Sequence, residues 1–165
     1  MAIEKCFDKQ TVGKLVDIIK YARGEGKKLV VTNGCFDILH PGHVDLLKRC
    51  KAHGDILLVM LNTDDSARGL EKGVGRPFNN QKDRAEMLLG LESVDFVYFF
   101  EESSPRFTIQ VFSPEIYVKG GDYKDKSKLR TTPFVEQYGG KVIIEPLYGN
   151  YSTTGFIEKV IASAK

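Results

Sequence analysis

The stretch Thr32–His43, TNGCFDILHPGH, follows a short apolar run and is the most informative stretch of the chain. Gly34 lets the backbone pass close to a ligand at the end of a strand. The Pro-Gly pair before the second histidine predicts a tight turn with a helix starting near His43. His40 and His43 would then lie at a helix N-terminus, where unpaired N–H groups and the helix dipole favour an anion. The stretch therefore predicts a phosphate site between a strand and a helix.

On either side of that stretch, short apolar segments alternate with helical patterns. Five segments predict strands, at residues 28–33, 55–61, 94–99, 115–119 and 141–145. Helical patterns cover residues 43–52, 81–91, 105–112, 133–138 and 153–162. Because apolar strands alternating with helices are typical of a buried parallel sheet, we expect a Rossmann-like α/β single domain with five parallel strands and helices on both faces. An earlier helical pattern predicts an N-terminal helical extension over residues 1–26, ahead of the main domain at 27–165, and the polar segment 124–130 predicts an exposed loop.

Composition excludes several classes of protein. The chain has 165 residues, of which 42% are hydrophobic, so one domain can fill its own core. Its 24 basic and 22 acidic residues leave a net charge of +2, which does not favour broad binding of nucleic acid or of an anionic membrane. No apolar run approaches the roughly 20 residues of a membrane span, and the N-terminus lacks the apolar core of a signal peptide. Three cysteines without CxxC spacing favour a reducing, cytoplasmic location.

Residues with anion-binding chemistry follow the predicted strands, at what would be one edge of the sheet. Ser152–Thr154, the sequence STT, begins the last predicted helix and predicts a second anion site built from hydroxyls and N–H groups. The alternative is that this triplet is only a helix cap. Lys72, Arg76 and Arg84 lie in and after the loop that follows the second strand, where they could hold a triphosphate or simply be solvated.

The histidine pair also has alternatives. One ring could cap the helix while the other stays on the surface, a common arrangement for an isolated HxxH. A zinc site could use Cys35, His40, His43 and Cys50. Their spacing fits no zinc pattern, and Cys50 falls well inside the predicted helix.

The quoted stretch resembles the signature of the nucleotidyltransferase superfamily, a strand followed by (T/N)G-x-FD-x-x-HxGH. The STT triplet is similar to the hydroxyl-rich helix start with which that superfamily ends. Shorter motifs are similar to the branch that adenylylates heptose 1-phosphate, in its free-standing form. They are VKGGDY at 118–123, RP at 76–77, DR at 83–84, LESVD at 91–95 and GG at 139–140. The similarity extends from about residue 11 to residue 160.

The resemblance implies transfer of an adenylyl group from ATP to a heptose 1-phosphate, with release of pyrophosphate, for the inner core of lipopolysaccharide. It implies Mg²⁺ as the cofactor, held mainly by the ATP phosphates. The implied catalytic residues are His40, His43, Lys72 and Arg84. These four are also implied to bind the nucleotide, together with Gly34, Cys35, Phe36, Asp37, Asp122, Ser152, Thr153 and Thr154. The implied contacts to the sugar phosphate are Arg76, Lys119 and Asp122. Asp37 has an equal alternative as a scaffold that bonds the backbone of its own loop.

Two other functions stay open. Cytidylyl transfer to glycerol phosphate, or to a similar polyol phosphate, is disfavoured by Leu147, since those enzymes carry Arg five residues before the STT. A non-catalytic nucleotide sensor would need only the pocket. Paired imidazoles argue against it, because lysine and backbone alone could bind a ground-state triphosphate. We also expect a homo-oligomer, most simply a dimer, with the N-terminal helix as a candidate contact.

Overall fold

The computed structural model describes residues 4–70, 75–121 and 126–164, in which strands and helices alternate. The strands are β1 (Cys6–Phe7), β2 (Leu29–Gly34), β3 (Ile56–Asn62), β4 (Phe96–Phe100), β5 (Ile116–Gly120) and β6 (Lys141–Glu145). The helices are α1 (Val12–Gly24), α2 (Pro41–Ala52), α3 (Asp64–Arg68), α4 (Gln81–Leu89), α5 (Arg106–Phe112), α6 (Thr132–Gln137) and α7 (Thr153–Ser163). A 3-10 turn at Lys126–Lys128 lies within the segment predicted as a loop, of which residues 124 and 125 fall outside the described ranges.

All six strands pair in parallel in one sheet, in the order β1-β4-β3-β2-β5-β6. The predicted Rossmann-like α/β architecture is confirmed, but the predicted number of five strands is wrong. The additional strand is β1, in which Cys6 lies opposite Val97 of β4. A strand of two residues has no periodicity to detect, which is why the sequence pattern missed it.

The sheet is the middle of three layers. All seven residues of β3 are buried, as expected for a strand covered on both faces. Leu58 and Met60 belong to a core that α1, α5 and α6 cover. Leu57 and Leu61 belong to the opposite core, which α2 and α4 cover.

Helix α1 packs against the sheet of its own chain. Leu15 and Ile19 are buried in the core that α1, α5 and α6 cover. Arg23 donates from Nε to Glu115 Oε1 (2.7 Å) and from Nη2 to the Phe112 carbonyl (2.9 Å). The N-terminal segment thus contributes a strand and a helix to this core. The boundary between residues 26 and 27 stays a prediction.

Strand β2 lies where the direction of strand addition reverses. From β2 the chain adds β3 and β4 on one side and then returns to place β5 on the other. In open parallel sheets, ligands bind at such a point, beyond the carboxyl ends of the strands. The fold therefore brings the segment after β2 to the edge where a ligand is expected. None of the helices in the described ranges combines the length and apolar composition that a bilayer crossing requires.

Candidate active site

A cavity of about 630 Å³ opens at the carboxyl ends of β2 and β5. Its volume lies within the range of about 300–1,000 Å³ that is typical of small-molecule sites. Most of the predicted site residues line it, namely Gly34, Cys35, Phe36, Asp37, His40, His43, Arg76, Lys119, Ser152, Thr153 and Thr154. Lys72 and Asp122, which were also predicted, lie outside the described residues.

The loop after β2 is shaped by close packing against an aromatic ring. A side chain on Gly34 would bring a Cβ within 2.9 Å of the Phe36 ring, so only glycine fits without a shift. Phe36 itself has a φ of 47°, a left-handed conformation that is costly for a residue with a side chain. Its ring is buried and lies 5.2 Å, centroid to centroid, from the ring of His43. The glycine therefore admits this ring, which in turn supports the second histidine.

The two histidines form a stacked pair at the start of α2. His40 is the N-cap residue, and its Nδ1 accepts the backbone N–H of His43 at 3.3 Å. That bond assigns the proton of a neutral His40 ring to Nε2, which leaves one N–H to donate to a ligand. The ring centroids are 3.7 Å apart and the planes differ by 17°. Burial lowers the pKa of His40 below its ordinary value, which favours a neutral ring at pH 7.

Residues for a protein-bound metal do not come together in the described ranges. They contain no group of three or more His, Cys, Asp or Glu side chains placed to hold an ion. Cys50 is fully buried in the core under α2, and burial raises the pKa of its thiol to about 12. Cys50 does not line the cavity that Cys35, His40 and His43 line. The geometry thus gives no support to the zinc interpretation.

Asp37 holds the histidine loop against the segment that precedes α4. Its Oδ1 accepts the backbone N–H groups of Phe78 (2.7 Å) and Asn79 (3.1 Å). The Asn79 side chain returns a bond to the Asp37 carbonyl (2.6 Å), and Arg76 Nε lies 3.4 Å from Asp37 Oδ2. This geometry favours the scaffold alternative for Asp37. It also fixes Arg76 at the cavity wall.

Arg84 lies beneath the cavity and does not line it. The side chain is fully buried on α4. It donates to the carbonyls of Cys35 (2.7 Å) and Asn79 (3.0 Å) and to Asp64 Oδ1 (2.7 Å). We expected Arg84 to contact phosphate directly, and this arrangement does not bring it there, because three protein acceptors already bind its guanidinium. The geometry instead favours a positioning role, since the Cys35 carbonyl belongs to the loop that carries the histidines.

The start of α7 forms another part of the cavity wall. Ser152 is the N-cap residue, and its Oγ accepts the N–H of Gly155 at 3.0 Å. Thr153 and Thr154 occupy the first turn and also line the cavity. The STT triplet can therefore cap the helix and also contact a ligand, because it begins α7 and lines the cavity.

Sequence reasoning missed the aromatic side chains between β6 and α7. Tyr148 and Tyr151 line the cavity with their rings nearly parallel and 6.1 Å apart. The Tyr151 ring also lies 6.2 Å from that of His40, at 20°. In the segment PLYGNYSTT, residues 146–154, only the STT triplet is predicted to bind the ligand. Its two tyrosines, three residues apart, were the signal that could have found this surface.

Ionic contacts tie the tyrosine segment to α2. Glu145, at the end of β6, accepts from Arg49 Nη1 (3.0 Å) and lies 2.6 Å from His53 Nε2. Arg49 also donates from Nη2 to the Pro146 carbonyl (2.7 Å). Helix α2 thus carries the histidines at its start and anchors the tyrosine segment near its end.

Comparisons with known proteins match both the sequence and the fold. The model of the cytidylyltransferase-like family matches residues 31–159. The bifunctional protein HldE of Methylococcus capsulatus is 45% identical over 150 residues, which cover 91% of this chain and 32% of that protein. The bifunctional protein HldE of Haemophilus influenzae is 41% identical over 157 residues, which cover 95% of this chain and 33% of that protein. The chain therefore spans about a third of the length of these relatives.

A solved structure shares the fold. The crystal structure of the lipopolysaccharide core biosynthesis protein from Thermoplasma volcanium superposes with a TM-score of 0.62 at 30% identity. The match covers 77% of this chain and 100% of that one. The similarity thus extends over the whole of that smaller protein.

Proposed function

The chain belongs to the cytidylyltransferase-like family of nucleotidyltransferases, and from this we propose that it transfers the adenylyl group of ATP to heptose 1-phosphate. The products would be ADP-heptose and pyrophosphate. The shorter motifs that resemble the heptose branch support this acceptor. So does the similarity to a protein of lipopolysaccharide core biosynthesis.

The observation that carries the proposal is the meeting of two helix N-termini at one cavity. Helix α2 presents the stacked pair His40 and His43, and α7 presents the hydroxyls of Ser152–Thr154. Each N-terminus adds backbone N–H groups and a partial positive charge. Such a site suits the phosphates of a nucleotide. Tyr148 and Tyr151 add an aromatic surface on which a base could stack.

The reaction we propose is a single in-line displacement. A phosphate oxygen of the sugar phosphate attacks the α-phosphorus of ATP and forms a new P–O bond. The bond from the α-phosphorus to the oxygen bridging to the β-phosphorus breaks, and its electron pair leaves with pyrophosphate. Because a phosphate monoester is largely ionised at pH 7, no base has to remove a proton.

The protein's contribution is positioning and stabilisation of charge. His40, through Nε2–H, and His43 would contact oxygens of the α- and β-phosphates as charge develops there. Ser152–Thr154 would hold the other side of the triphosphate. For Lys72, the role of triphosphate ligand is supported by the family resemblance alone. For Arg84, its buried contacts support positioning of the histidine loop rather than direct contact.

We propose that ATP binds together with a divalent cation, Mg²⁺. The described residues gather no carboxylate cluster for it, so Mg²⁺ would be held mainly by the phosphates. When bound, it would neutralise part of their charge. The contact of Asp122 with the sugar, or with this ion through water, stays a prediction.

The cellular setting is also part of the proposal. We propose a cytoplasmic enzyme, since ATP is its substrate and its three cysteines are free thiols. A homo-oligomer, with the dimer as the simplest form, stays a prediction. Because the matched relatives are about three times longer, their further activities are not assigned to this chain.

Pyrophosphate release, measured over a matrix of nucleotides and acceptors, tests the proposed function. ATP and CTP would each be combined with heptose 1-phosphate, glucose 1-phosphate and glycerol 3-phosphate. We expect release with ATP and heptose 1-phosphate above all other pairs. Release with CTP and glycerol 3-phosphate would identify a cytidylyltransferase instead. Binding of ATP without release for any acceptor would identify a nucleotide sensor.

A further inference from the structure

Helix α7 is the least buried helix of the fold. Each of the helices α1 to α6 buries at least two residues, whereas none of the eleven residues of α7 is buried. From Glu158 to the C-cap residue Ala164, every residue is exposed. The end of α7 that points away from the cavity is therefore surrounded by solvent in a single copy of the chain.

The exposed part of α7 is apolar. Phe156, Val160 and Ile161 are 52%, 50% and 56% exposed. Phe156 and Val160 are four positions apart, so they are neighbours on the helix surface. The exposed apolar side chains at positions 147, 148 and 151 line the cavity, but these three do not. A ligand in the cavity therefore does not account for the apolar face of α7.

A helix of this length and composition needs a surface that covers it. Isolated helices shorter than about 12–15 residues are marginal in water, and most helical stability in proteins comes from packing of an apolar face. The β-branched residues Ile157, Val160 and Ile161 also have a lower helix propensity than unbranched residues. We therefore expect that another surface covers the apolar face of α7 in solution.

Charge favours a second copy of the chain as that surface. Glu158 and Lys159 are the charged residues of α7 and leave it without net charge. The helix thus lacks the cationic face that an anionic membrane or a nucleic acid would need, while two copies can approach without repulsion. Helix α1, the dimer contact expected from the sequence, instead buries Leu15 and Ile19 in the core of its own chain.

The exposed area suits a weak dimer. Half of an aromatic side chain is roughly 100 Å², so the three exposed side chains offer on the order of 300 Å² in each copy. A symmetric pair would bury about 600 Å² of apolar surface. Because homodimer interfaces are roughly 65% apolar, this corresponds to about 900 Å² in total. Interfaces below about 1,200 Å² are at the small, reversible end of the range.

We propose that α7 joins two copies of this chain in a weak two-fold symmetric dimer, and that this contact strengthens nucleotide binding. Phe156, Val160 and Ile161 of each copy form the contact. The first turn of the same helix belongs to the site, because Ser152–Thr154 line the cavity. Since a helix forms cooperatively, packing at its far end also holds its first turn. The effect on nucleotide binding rests on the proposed function, and linkage requires the nucleotide to strengthen the dimer by the same factor.

Sedimentation velocity of the full chain tests the proposal without relying on turnover. The protein would be studied from submicromolar to submillimolar concentration, with and without α,β-methylene-ATP, from which no adenylyl group can be transferred. We expect a reversible equilibrium between monomer and dimer. The nucleotide analogue should lower the dimer dissociation constant by about fivefold or more, and its own affinity should rise with protein concentration.

Val160→Glu is the decisive variant. It places a charge in the apolar contact and should weaken the dimer by about 100-fold or more. The affinity for α,β-methylene-ATP should fall by about fivefold. Glutamate is a better helix former than valine, so a lower helix propensity would not explain this loss. Val160 is half exposed in the single chain, so the variant should keep its fold, which circular dichroism checks.

The matched control is Val111→Glu. Val111 lies on α5, is 54% exposed and does not line the cavity. The control makes the same substitution at nearly the same exposure. Both the dimer dissociation constant and the affinity for the analogue should stay within about twofold of the unmodified chain.

Four results would overturn the proposal. A chain that stays monomeric at every concentration would leave a different protein or a lipid surface as the cover of α7. An unchanged dimer in Val160→Glu, or an equal loss in Val111→Glu, would place the contact elsewhere. An analogue affinity that does not depend on protein concentration would remove the coupling. Failure of the proposed function differs from all four, because the dimer would then form and tighten with the analogue while no pyrophosphate is released from ATP.

Discussion

At the scale of single residues, the stacked imidazoles of His40 and His43 concentrate the chemistry at one helix N-terminus. If His43 donates to charge that develops on the phosphates, His43→Ala should lower kcat by about 10²- to 10³-fold, as for loss of one oxyanion donor. The KM for ATP should change far less. Steady-state kinetics with ATP and heptose 1-phosphate measures both. A variant with near-normal turnover would rule out this role.

The protonation of His40 can be measured separately. Burial lowers its pKa in the folded protein, below the value of about 6.5 of the unfolded chain. The stability that depends on the neutral ring is therefore present above about pH 6.5 and is lost as the pH falls through the lower folded pKa. Bound ATP should raise this pKa, because the phosphate charge favours the imidazolium. An NMR titration of the ring, with and without ATP, checks both shifts. A midpoint at or above 6.5 without ligand would contradict the first.

Arg84 and Arg68 offer a matched pair of arginine–aspartate contacts. Arg84 is buried and binds Asp64, whereas Arg68 pairs with Asp65 at the surface. Breaking a buried pair leaves its partners unsatisfied, so Arg84→Met should lower the free energy of unfolding by about 3 kcal/mol. Arg68→Met should change it by less than about 0.5 kcal/mol. Urea denaturation compares the two, and equal effects would show that burial of Arg84 does not matter.

At the scale of elements, helix α2 couples the histidines to the tyrosine segment. Arg49 bonds Glu145 and the Pro146 carbonyl, which lead into that segment. Arg49→Ala should therefore raise the KM for ATP by about 3- to 10-fold, through loss of one or two such bonds, with a smaller effect on kcat. Lys48→Ala, an exposed neighbour on the same helix, is the control. If both variants give the same KM, the contact does not organise the site.

At the scale of the whole molecule, the sequence was sufficient for what is periodic or recurs as a motif. Alternating apolar segments predicted the buried parallel sheet, and the HxGH and STT motifs predicted residues that meet in one cavity. The expected resemblance to nucleotidyltransferases is confirmed by the family match over residues 31–159. Strand β1 escaped prediction because two residues that join a sheet edge carry no pattern.

Contacts between distant segments escaped prediction for another reason. Arg84 follows a loop that contains predicted phosphate ligands. Its guanidinium is instead bound by Asp64 and by the Cys35 carbonyl, which lie 20 and 49 positions away in the chain. Nothing in the local sequence separates a buried guanidinium from a phosphate-binding one. Likewise, Tyr148 and Tyr151 become a cavity wall only because β6 ends beside α2.

The most direct test of the proposed activity is an internal competition. One reaction would contain equal concentrations of ATP and CTP, and equal concentrations of heptose 1-phosphate and glycerol 3-phosphate, with products resolved by mass spectrometry. The ratio of products reports the ratio of kcat/KM values. We predict that ADP-heptose exceeds every other nucleotide conjugate by about 100-fold or more, a margin typical of sites that hydrogen-bond their substrate. A majority of CDP-glycerol, or no conjugate at all, would contradict adenylyl transfer to heptose 1-phosphate.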